Sequence, residues 1–342
     1  MTRATAHRRV EAVRLALRRK IDAGALRPGQ RFWSARDLAD RYGIAYLTAD
    51  RLLKELTDAG RLVRKPRSGT FVAGQTPARP VPQLFLPERA KVAGTFANHM
   101  RRCLRDALPG PLSDARVRFL DATDRRPSLP PQKLPVLWET PTARRACLDQ
   151  QRRAVLIHDL PRPREAALFD AVAIDNHTGG YLAGQTFRNM LGPGHAEPSS
   201  VAVVAGPRQD PRSHARLRGF RDAWPDASVI TAGGWTTDHG RRAASAVRRK
   251  RPRALFCAND RLAEGVLEGL AERGEPRPLI IGFDDAPIAE RLQLTTIGIP
   301  WRAFADEVRD AVQRRLDQPD APARRVELTP QLILRRLDAG VP

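Results

Sequence analysis

Near the N-terminus the apolar positions recur at helical spacing, break at glycines and then switch to alternation. Val10, Val13, Leu17 and Ile21 form the stripe of a first helix. Ser34 followed by Asp37 is a capping-box variant, after which Leu38, Ala39 and Tyr42 keep helical spacing until Gly43 stops the helix. Beyond a Gly43-Ile44 turn, Ala49, Leu52, Leu53 and Leu56 make one apolar face of a third helix, which directs Tyr46, Thr48, Asp50, Arg51 and Lys54 elsewhere. Gly60 ends that helix, residues 61–65 alternate as a strand, 66–69 read as a turn and 70–73 as the returning strand. The pattern predicts a winged helix-turn-helix over residues 1–74. Two short helices joined by a glycine turn can offer the second to a DNA major groove, and the hairpin can lay Arg67 and backbone amides on phosphate or in a minor groove.

From 75 to 87 the run QTPARPVPQLFLP holds four prolines and loses helical periodicity, which predicts a semi-rigid linker passing into a strand at about Leu84. Farther on, helices are expected at 91–107 and 142–152, and strands at 117–120, 136–138 and 155–157. Short apolar runs follow at 171–174, 201–204, 229–231, 254–257 and 279–281, most of them separated by helices. Such alternation argues for an α/β domain with parallel sheets covered by helices on both faces. Ligands of these folds bind beyond the carboxyl ends of the strands, so the residues just after each run are the candidates. They are polar: Asp175-Asn176, Asn259-Asp260 and Asp284-Asp285, with Ala205-Gly206 after another run.

Charge sharpens the first domain. The 342 residues carry a net charge of +21, but arginine excess can also reflect a GC-rich coding sequence, so its distribution matters more than its sum. Residues 1–74 hold 17 Lys+Arg against 7 Asp+Glu, a net of +10, and the other 268 hold 42 against 31, a net of +11. The charge density is several times higher where DNA is expected, and phosphate contacts there would make affinity fall steeply with salt. No apolar stretch approaches membrane-span length and no apolar core follows the basic start, so neither a membrane segment nor a secretory signal is expected. The three cysteines, Cys103, Cys147 and Cys257, are scattered, which fits a reducing cytoplasm.

Two stretches resemble known families. Residues 29–72, with R-D-L-A, Y-G-I, L-L-K-E-L, D-A-G-R-L and S-G-T-F-V, resemble the DNA-binding domain of the GntR family. The resemblance implies a dimer on a palindromic operator, with Arg36, Ala45, Tyr46, Thr48, Arg67, Ser68, Gly69 and Thr70 at the DNA. Arg51 joins them on its basic character and helix placement. The chain departs from the family at Ala45, where a hydroxyl residue is usual, and at Tyr46 and Asp50, where arginine is common, so its base preference is not expected to follow the family. The segments AIDNHTGG, SHARLRGF, FCANDRLAEGVL, IIGFDDAP and LTTIGIP resemble, in order and spacing, the effector-binding core of the LacI family, over roughly residues 169–337. That family shares the two-subdomain, periplasmic-binding-protein-like (type I) α/β fold, with three crossovers and a ligand in the cleft. By motif position Arg216, Asn259 and Asp284 are implied effector contacts, and Trp235 stands where an aromatic ring stacks on ligand. Carboxylate, amide, guanidinium and indole together suit a polyhydroxylated small molecule. For each, a structural role competes: capping for Asn259 and Asp284, a surface ion pair for Arg216, core packing for Trp235. Over residues 84–168 the match is weak, and the proline-rich stretch at 127–135 has no family counterpart.

Catalytic signatures are missing. There is no G-x-S-x-G elbow, Walker loop or H-E-x-x-H, the seven histidines fall at no metal-ligand spacing, and adjacent Asp284 and Asp285 diverge at a strand end. Gly179-Gly180 reads as close helix packing, and Asp260 and Asp285 as structural. No enzyme, metal or cofactor is expected. The resulting expectation is a DNA-binding domain at 1–74, a proline-rich linker at 75–87 and an effector-binding and dimerisation domain at 88–342. Together they make a cytoplasmic, nucleoid-associated repressor, homodimeric on double-stranded operator DNA and controlled by a sugar or related metabolite, in a layout similar to that of arabinose repressors. A constitutive regulator with a degenerate pocket and a non-specific DNA-architectural protein stay open as alternatives.

Overall fold

The computed structural model describes residues 3–22, 26–66, 68–73, 80–93, 95–105, 117–121, 123–125, 127–192 and 200–335. The chain divides into two compact units. One comprises residues 1–83, 128–134 and 314–321, and the other 84–127, 135–313 and 322–342.

In the first unit, helices α1 (Arg3–Asp22), α2 (Ala35–Tyr42) and α3 (Tyr46–Asp58) precede strands β1 (Leu62–Lys65) and β2 (Gly69–Val72). The α1 stripe Val13, Leu17 and Ile21 meets Leu38 of α2 and Ala49, Leu52, Leu53 and Leu56 of α3, with Phe32, Leu62 and Val72 closing the core. Ser34 and Asp37 form the reciprocal capping box, and Gly43 takes the left-handed conformation that ends α2. The hairpin pairs Leu62 with Val72 and Lys65 with Gly69. Alternation alone missed a third partner. Arg31 bridges to Phe71, the Phe32 amide donates to Thr70 O at 2.7 Å, and the Val72 amide donates to Gln30 O at 2.8 Å, so β2 is flanked on both sides. Arg67 lies outside the described residues.

The α/β part runs β3 (Val81–Pro87), α4 (Phe96–Arg105), β4 (Val117–Leu120), β5 (Lys133–Leu137), α5 (Pro141–Asp149), β6 (Ala154–Ile157), β7 (Phe169–Ile174), α6 (Asn176–Leu191), β8 (Val201–Ala205), α7 (Pro211–Ala223) and β9 (Ser228–Thr231). It continues through α8 (Thr237–Lys250), β10 (Ala254–Cys257), α9 (Asp260–Ala271), β11 (Leu279–Asp284), α10 (Pro287–Arg291), β12 (Thr296–Gly298), α11 (Trp301–Asp317), β13 (Arg325–Leu328) and β14 (Gln331–Ile333). The strands form two six-stranded sheets, ordered β13-β7-β6-β5-β3-β4 and β14-β12-β11-β10-β8-β9. The chain therefore crosses between sheets three times, after β7, after β12 and between β13 and β14. Strands β6, β7, β8 and β10 are buried at every position, as expected where helices cover both faces.

Several boundaries differ from expectation. β3 begins at Val81, so residues 81–87 of the stretch expected as linker, 75–87, are strand; Pro82 lies ahead of the register with β4, which starts at Leu84. The helix expected at 91–107 is split into a 3-10 turn at Glu88–Lys91 and α4, whose first turn is capped by the Thr95 hydroxyl accepting from the Asn98 amide at 3.1 Å. Residues 106 and 107 lie outside the described residues. Gly180 and Gly219 explain the closeness of α6 and α7. A Cβ on Gly180 would lie 2.0 Å from Arg216 O, and one on Gly219 would lie 1.9 Å from His177 O. That crossing fixes where the Arg216 side chain starts.

Candidate functional site

The outward face of α3 follows from its inward one. Ala49, Leu52, Leu53 and Leu56 are buried, and at 100° per residue the opposite side carries Leu47, Arg51 and Lys54. Leu47 is 80 % exposed. The Arg51 side chain is 81 % exposed and reaches Glu55 one turn on, 3.4 Å away. Arg36 and Ala45 are exposed, and Thr48 is half-buried on the flank. Tyr46, exposed, and Asp50 turn toward the hairpin, where the Asp50 carboxylate accepts from Arg64 of β1 at 2.7 Å. Ser68 is exposed in the turn, its amide donating to Lys65 O at 3.1 Å; Gly69 needs φ +113°; and Thr70 holds the backbone of Phe32. Between α3 and the hairpin lies a groove of about 850 Å³, lined among others by Arg31, Trp33, Tyr46, Asp50 and Arg64. Ala45 starts α3 in an extended conformation with no side-chain cap, the local price of departing from a hydroxyl residue.

In the α/β part, charge collects where the carboxyl ends of the two sheets meet. Arg216, on α7, is buried; its Nε donates to Asn176 Oδ1 at 2.8 Å, its Nη1 donates to Ala258 O and lies 3.3 Å from Asp284 Oδ1, and its guanidinium stands 3.5 Å from the Phe283 ring centroid. Burial lowers the Arg216 pKa to about 10 and raises that of Asp284 to about 6, although each group supports the charge of the other. Trp235 donates its indole N–H to Asp210 at 2.9 Å, with Arg216 5.6 Å and Arg212 6.0 Å from its ring centroid. Arg212 grips Asp210 at 2.7 Å and Glu139 at 2.5 Å, and Glu139 also pairs with Arg89. Burial works against the Asp210 carboxylate, yet the hydrogen bonds from Arg212 and Trp235 bring its pKa down to about 2. A charged chain thus runs from Arg89 and Glu139, which follow strands of the first sheet, through Arg212 and Asp210, is bridged by the Trp235 ring, and ends in the Arg216–Asp284 pair at the end of β11 in the second.

The wall from the first sheet has polar atoms without partners. Among the described residues no hydrogen bond reaches Trp138 Nε1, Thr140 Oγ1 or His158 Nδ1, and all three residues are under 5 % exposed. Burial, then Arg212 and Arg216 nearby, hold His158 well below the usual histidine range, so it is neutral. Phe96 lies beside Trp138, His158 and Trp301, with ring centroids 5.9, 5.7 and 5.4 Å away. Backbone strain gathers at the same place. Glu139, His158, Asp284 and Asp285 adopt φ of 48°, 56°, 114° and 52°, a region such residues occupy at a cost of about 1–3 kcal/mol each.

Of the residues expected from motifs, Arg216, Trp235, Asn259 and Asp284 come together here. Asn259 is occupied structurally: its side-chain oxygen caps α9 by accepting from the Leu262 amide at 2.8 Å, and its Nδ2 donates to Trp235 O at 3.1 Å. Asp260 and Asp285 serve the scaffold. Asp260 accepts from the Ala286 amide and the Thr296 hydroxyl, whereas Asp285 turns to Arg335 at 2.7 Å, away from Asp284. Motif reading missed Leu47, Glu139, His158, Asp210 and Arg212. Glu139 and His158 directly follow predicted strands, so the rule that singled out Asp284 could have found them. Asp210 and Arg212 sit on a loop and a helix start with no spacing signal.

Residues 9–72 match the model for bacterial regulatory proteins of the gntR family, and residues 187–336 match that for a periplasmic binding protein-like domain. Among curated relatives, the HTH-type transcriptional repressor PurR of Klebsiella pneumoniae subsp. pneumoniae is 29% identical over 191 residues, covering 52% of this chain and 54% of that protein. PurR of Vibrio campbellii is 26% identical over 184 residues, covering 50% of this chain and 53% of that protein. The chain spans about half the length of the curated relatives it matches. Among solved structures, a LacI family transcriptional regulator from Enterococcus faecium with bound ribose superposes with a TM-score of 0.61 at 20% identity, over 77% of this chain and 100% of that one. The transcriptional regulator CelR in complex with cellobiose gives 0.58 at 18% identity, over 90% and 100%. The chain joins a helix-turn-helix domain of the gntR type of bacterial regulatory proteins to a periplasmic binding protein-like domain with the fold of LacI family regulators.

Proposed function

We propose that this protein is a sequence-specific transcriptional repressor released from or held on its operator by a small polar effector. In this reading residues 1–74 bind double-stranded operator DNA. The outward face of α3 lies in the major groove, and Arg36, Ala45, Tyr46, Thr48, Arg51, Arg67, Ser68, Gly69 and Thr70 lie at or near the duplex. Residues 88–342 bind the effector and form the homodimer that matches a two-fold operator. The protein acts in the cytoplasm on nucleoid DNA. Among the described residues no helix is long and apolar enough to cross a membrane.

The carrying observation is the set of unpartnered buried atoms on Trp138, Thr140 and His158, which follow the parallel strands β5 and β6, with His158 near enough to Arg212, Arg216 and Asp210 to feel their charge. A buried polar atom without a partner costs about 1–3 kcal/mol, which a ligand bearing hydroxyls would recover. Donors, acceptors and aromatic faces of this kind suit a sugar or related metabolite, with Trp235 and Phe96 as stacking surfaces and Arg216, Asn259 and Asp284 as polar contacts. PurR is named a repressor, and the Enterococcus and CelR structures hold ribose and cellobiose, which supports both halves of the reading. Effector binding moves the two sheets relative to each other and resets the spacing of the paired DNA-binding domains. Operator and effector must then change each other's affinity by the same factor. Titrating sugars that bind, as scored by a rise in apparent stability, against the protein on its operator tests this. A change in operator affinity is expected; ligands that bind without any such change would refute effector control.

A further inference from the structure

We infer that Leu47 reads a thymine through its 5-methyl group at the centre of the α3 face. The inference rests on the proposed DNA-binding function and adds a base to it. Leu47 is the second residue of α3 and is 80 % exposed, the most exposed of the large apolar residues described in the first unit. It stands on the same side as Arg51 and Lys54, one and two turns farther on, while the buried Ala49, Leu52, Leu53 and Leu56 point the other way. The first turn of α3 contains neither an acidic nor a basic residue: it reads Tyr46, Leu47, Thr48. The N-terminal residues of such a helix are the ones that reach base edges.

The occupant of this face follows from charge. A second copy would bring Arg51 and Lys54 against their like, whereas a duplex brings phosphates to both cations and a groove floor to Leu47. Among the groups displayed on that floor, the thymine 5-methyl is the apolar one, and the remaining edges are donors and acceptors that a leucine cannot satisfy. Asp50, where arginine is common in the family the domain resembles, is held by Arg64 and turned toward the hairpin, so it does not compete for the same base. A guanine-reading arginine is thereby absent from the position, and an apolar reader stands one helical face away. Burying one methyl group corresponds to about a fourfold gain in affinity per half-site, and about fifteenfold when both half-sites of a two-fold operator contribute.

The test uses the whole protein and an operator recovered by selection from random duplex. Each thymine is then replaced by deoxyuridine, which removes the methyl and nothing else, and affinities are measured for the native protein and Leu47→Ala. The expected result is one position per half-site at which the replacement weakens native binding about fourfold, with no further loss for Leu47→Ala at that position. Melting of Leu47→Ala at the native temperature confirms that the exposed substitution leaves the fold intact. If specific binding is found but no thymine is sensitive, or Leu47→Ala keeps the full penalty, the thymine inference falls and the regulator reading stands. If selection yields no sequence preferred over random duplex, the regulator reading itself falls, and the inference with it.

Discussion

Separating Arg216 from Asp284 should show how much of the α/β part depends on their buried pair. The side chains are 3% and 7% exposed, so neither charge is solvated once the other is gone. Removing one partner of a buried pair costs about 3–5 kcal/mol. Asp284→Asn should fall at the lower end, about 3 kcal/mol. Arg216 keeps hydrogen bonds to Asn176 and Ala258 O and its place over the Phe283 ring, and asparagine tolerates the φ of 114° at this position. Thermal unfolding of the whole protein should shift downward by roughly 6–12 °C, from about 2–4 °C per kcal/mol in a domain of this size. Arg216→Met adds a pH signature. The Asp284 pKa is raised to about 6 even with its cation present, and losing the cation raises it further. Stability gained by holding that proton is full below the unfolded value of about 3.9 and is lost as pH rises through the folded value, so Arg216→Met should cost less at pH 5 than at pH 8. The double substitution Arg216→Met with Asp284→Asn should recover at least half of the summed loss. A cost under about 1 kcal/mol for Asp284→Asn, or a loss for Arg216→Met equal at both pH values, would refute the reasoning.

The other expectations address the two proposed sites. Asp50→Asn releases Arg64 from its pair, and DNA affinity should rise, with a salt dependence steeper by about one phosphate contact in a filter-binding series. Ala45→Ser supplies the missing cap of α3 and should stabilise that helix by about 1 kcal/mol, read as slower amide exchange in its first turn. Thr140→Val removes an unpartnered buried hydroxyl at nearly constant volume. The melting temperature should rise while affinity for the effector falls; a fall in both would show that the hydroxyl is satisfied in the free protein. Effector hydroxyls donating to Asp284 favour its ionised form, so calorimetric affinity should weaken as pH falls through about 6; an unchanged affinity between pH 5 and 8 counts against that contact.

The N-terminal helices and hairpin were almost wholly legible because their information is local, whereas the joining of residues 128–134 and 314–321 to the same unit was not. Caps at Ser34 and Gly43, the four inward positions of α3 and the turn before Gly69 are each decided within a few residues. The segment at Arg31 and Phe32 escaped because its pairing with β2 is a tertiary choice with no alternation to announce it. In the α/β part the expected strands and apolar runs located β3 to β11, edge strands β4 and β9 included, whereas β12, only three residues long, and the half-exposed edge strands β13 and β14 were not singled out. Half of the charged chain was readable from residues placed after strands. Asp210 and Arg212 were not, since their role depends on Glu139, which a different sheet delivers to them. Tyr46 and Asp50 were visible as departures, and the exposure of Leu47 followed from the inward face already read for α3, but its apolar character drew no notice beside the charged residues on the same side.

The late return of the chain to both sheets bears on when regulation begins during synthesis. β13 pairs with β7 at Ala171 and Arg325, and Asp170 bonds the Arg324 amide, contacts separated by 154 residues. At about 5–20 residues per second, a ribosome needs roughly eight to thirty seconds to span that interval. The core of α1 to β2, all of it within residues 13–72, closes over short stretches and can fold in a small fraction of that time. A nascent chain would therefore complete the domain proposed to bind DNA well before the α/β part has an intact first sheet. Under the proposed function, that interval separates synthesis of the DNA-binding domain from the first response to an effector.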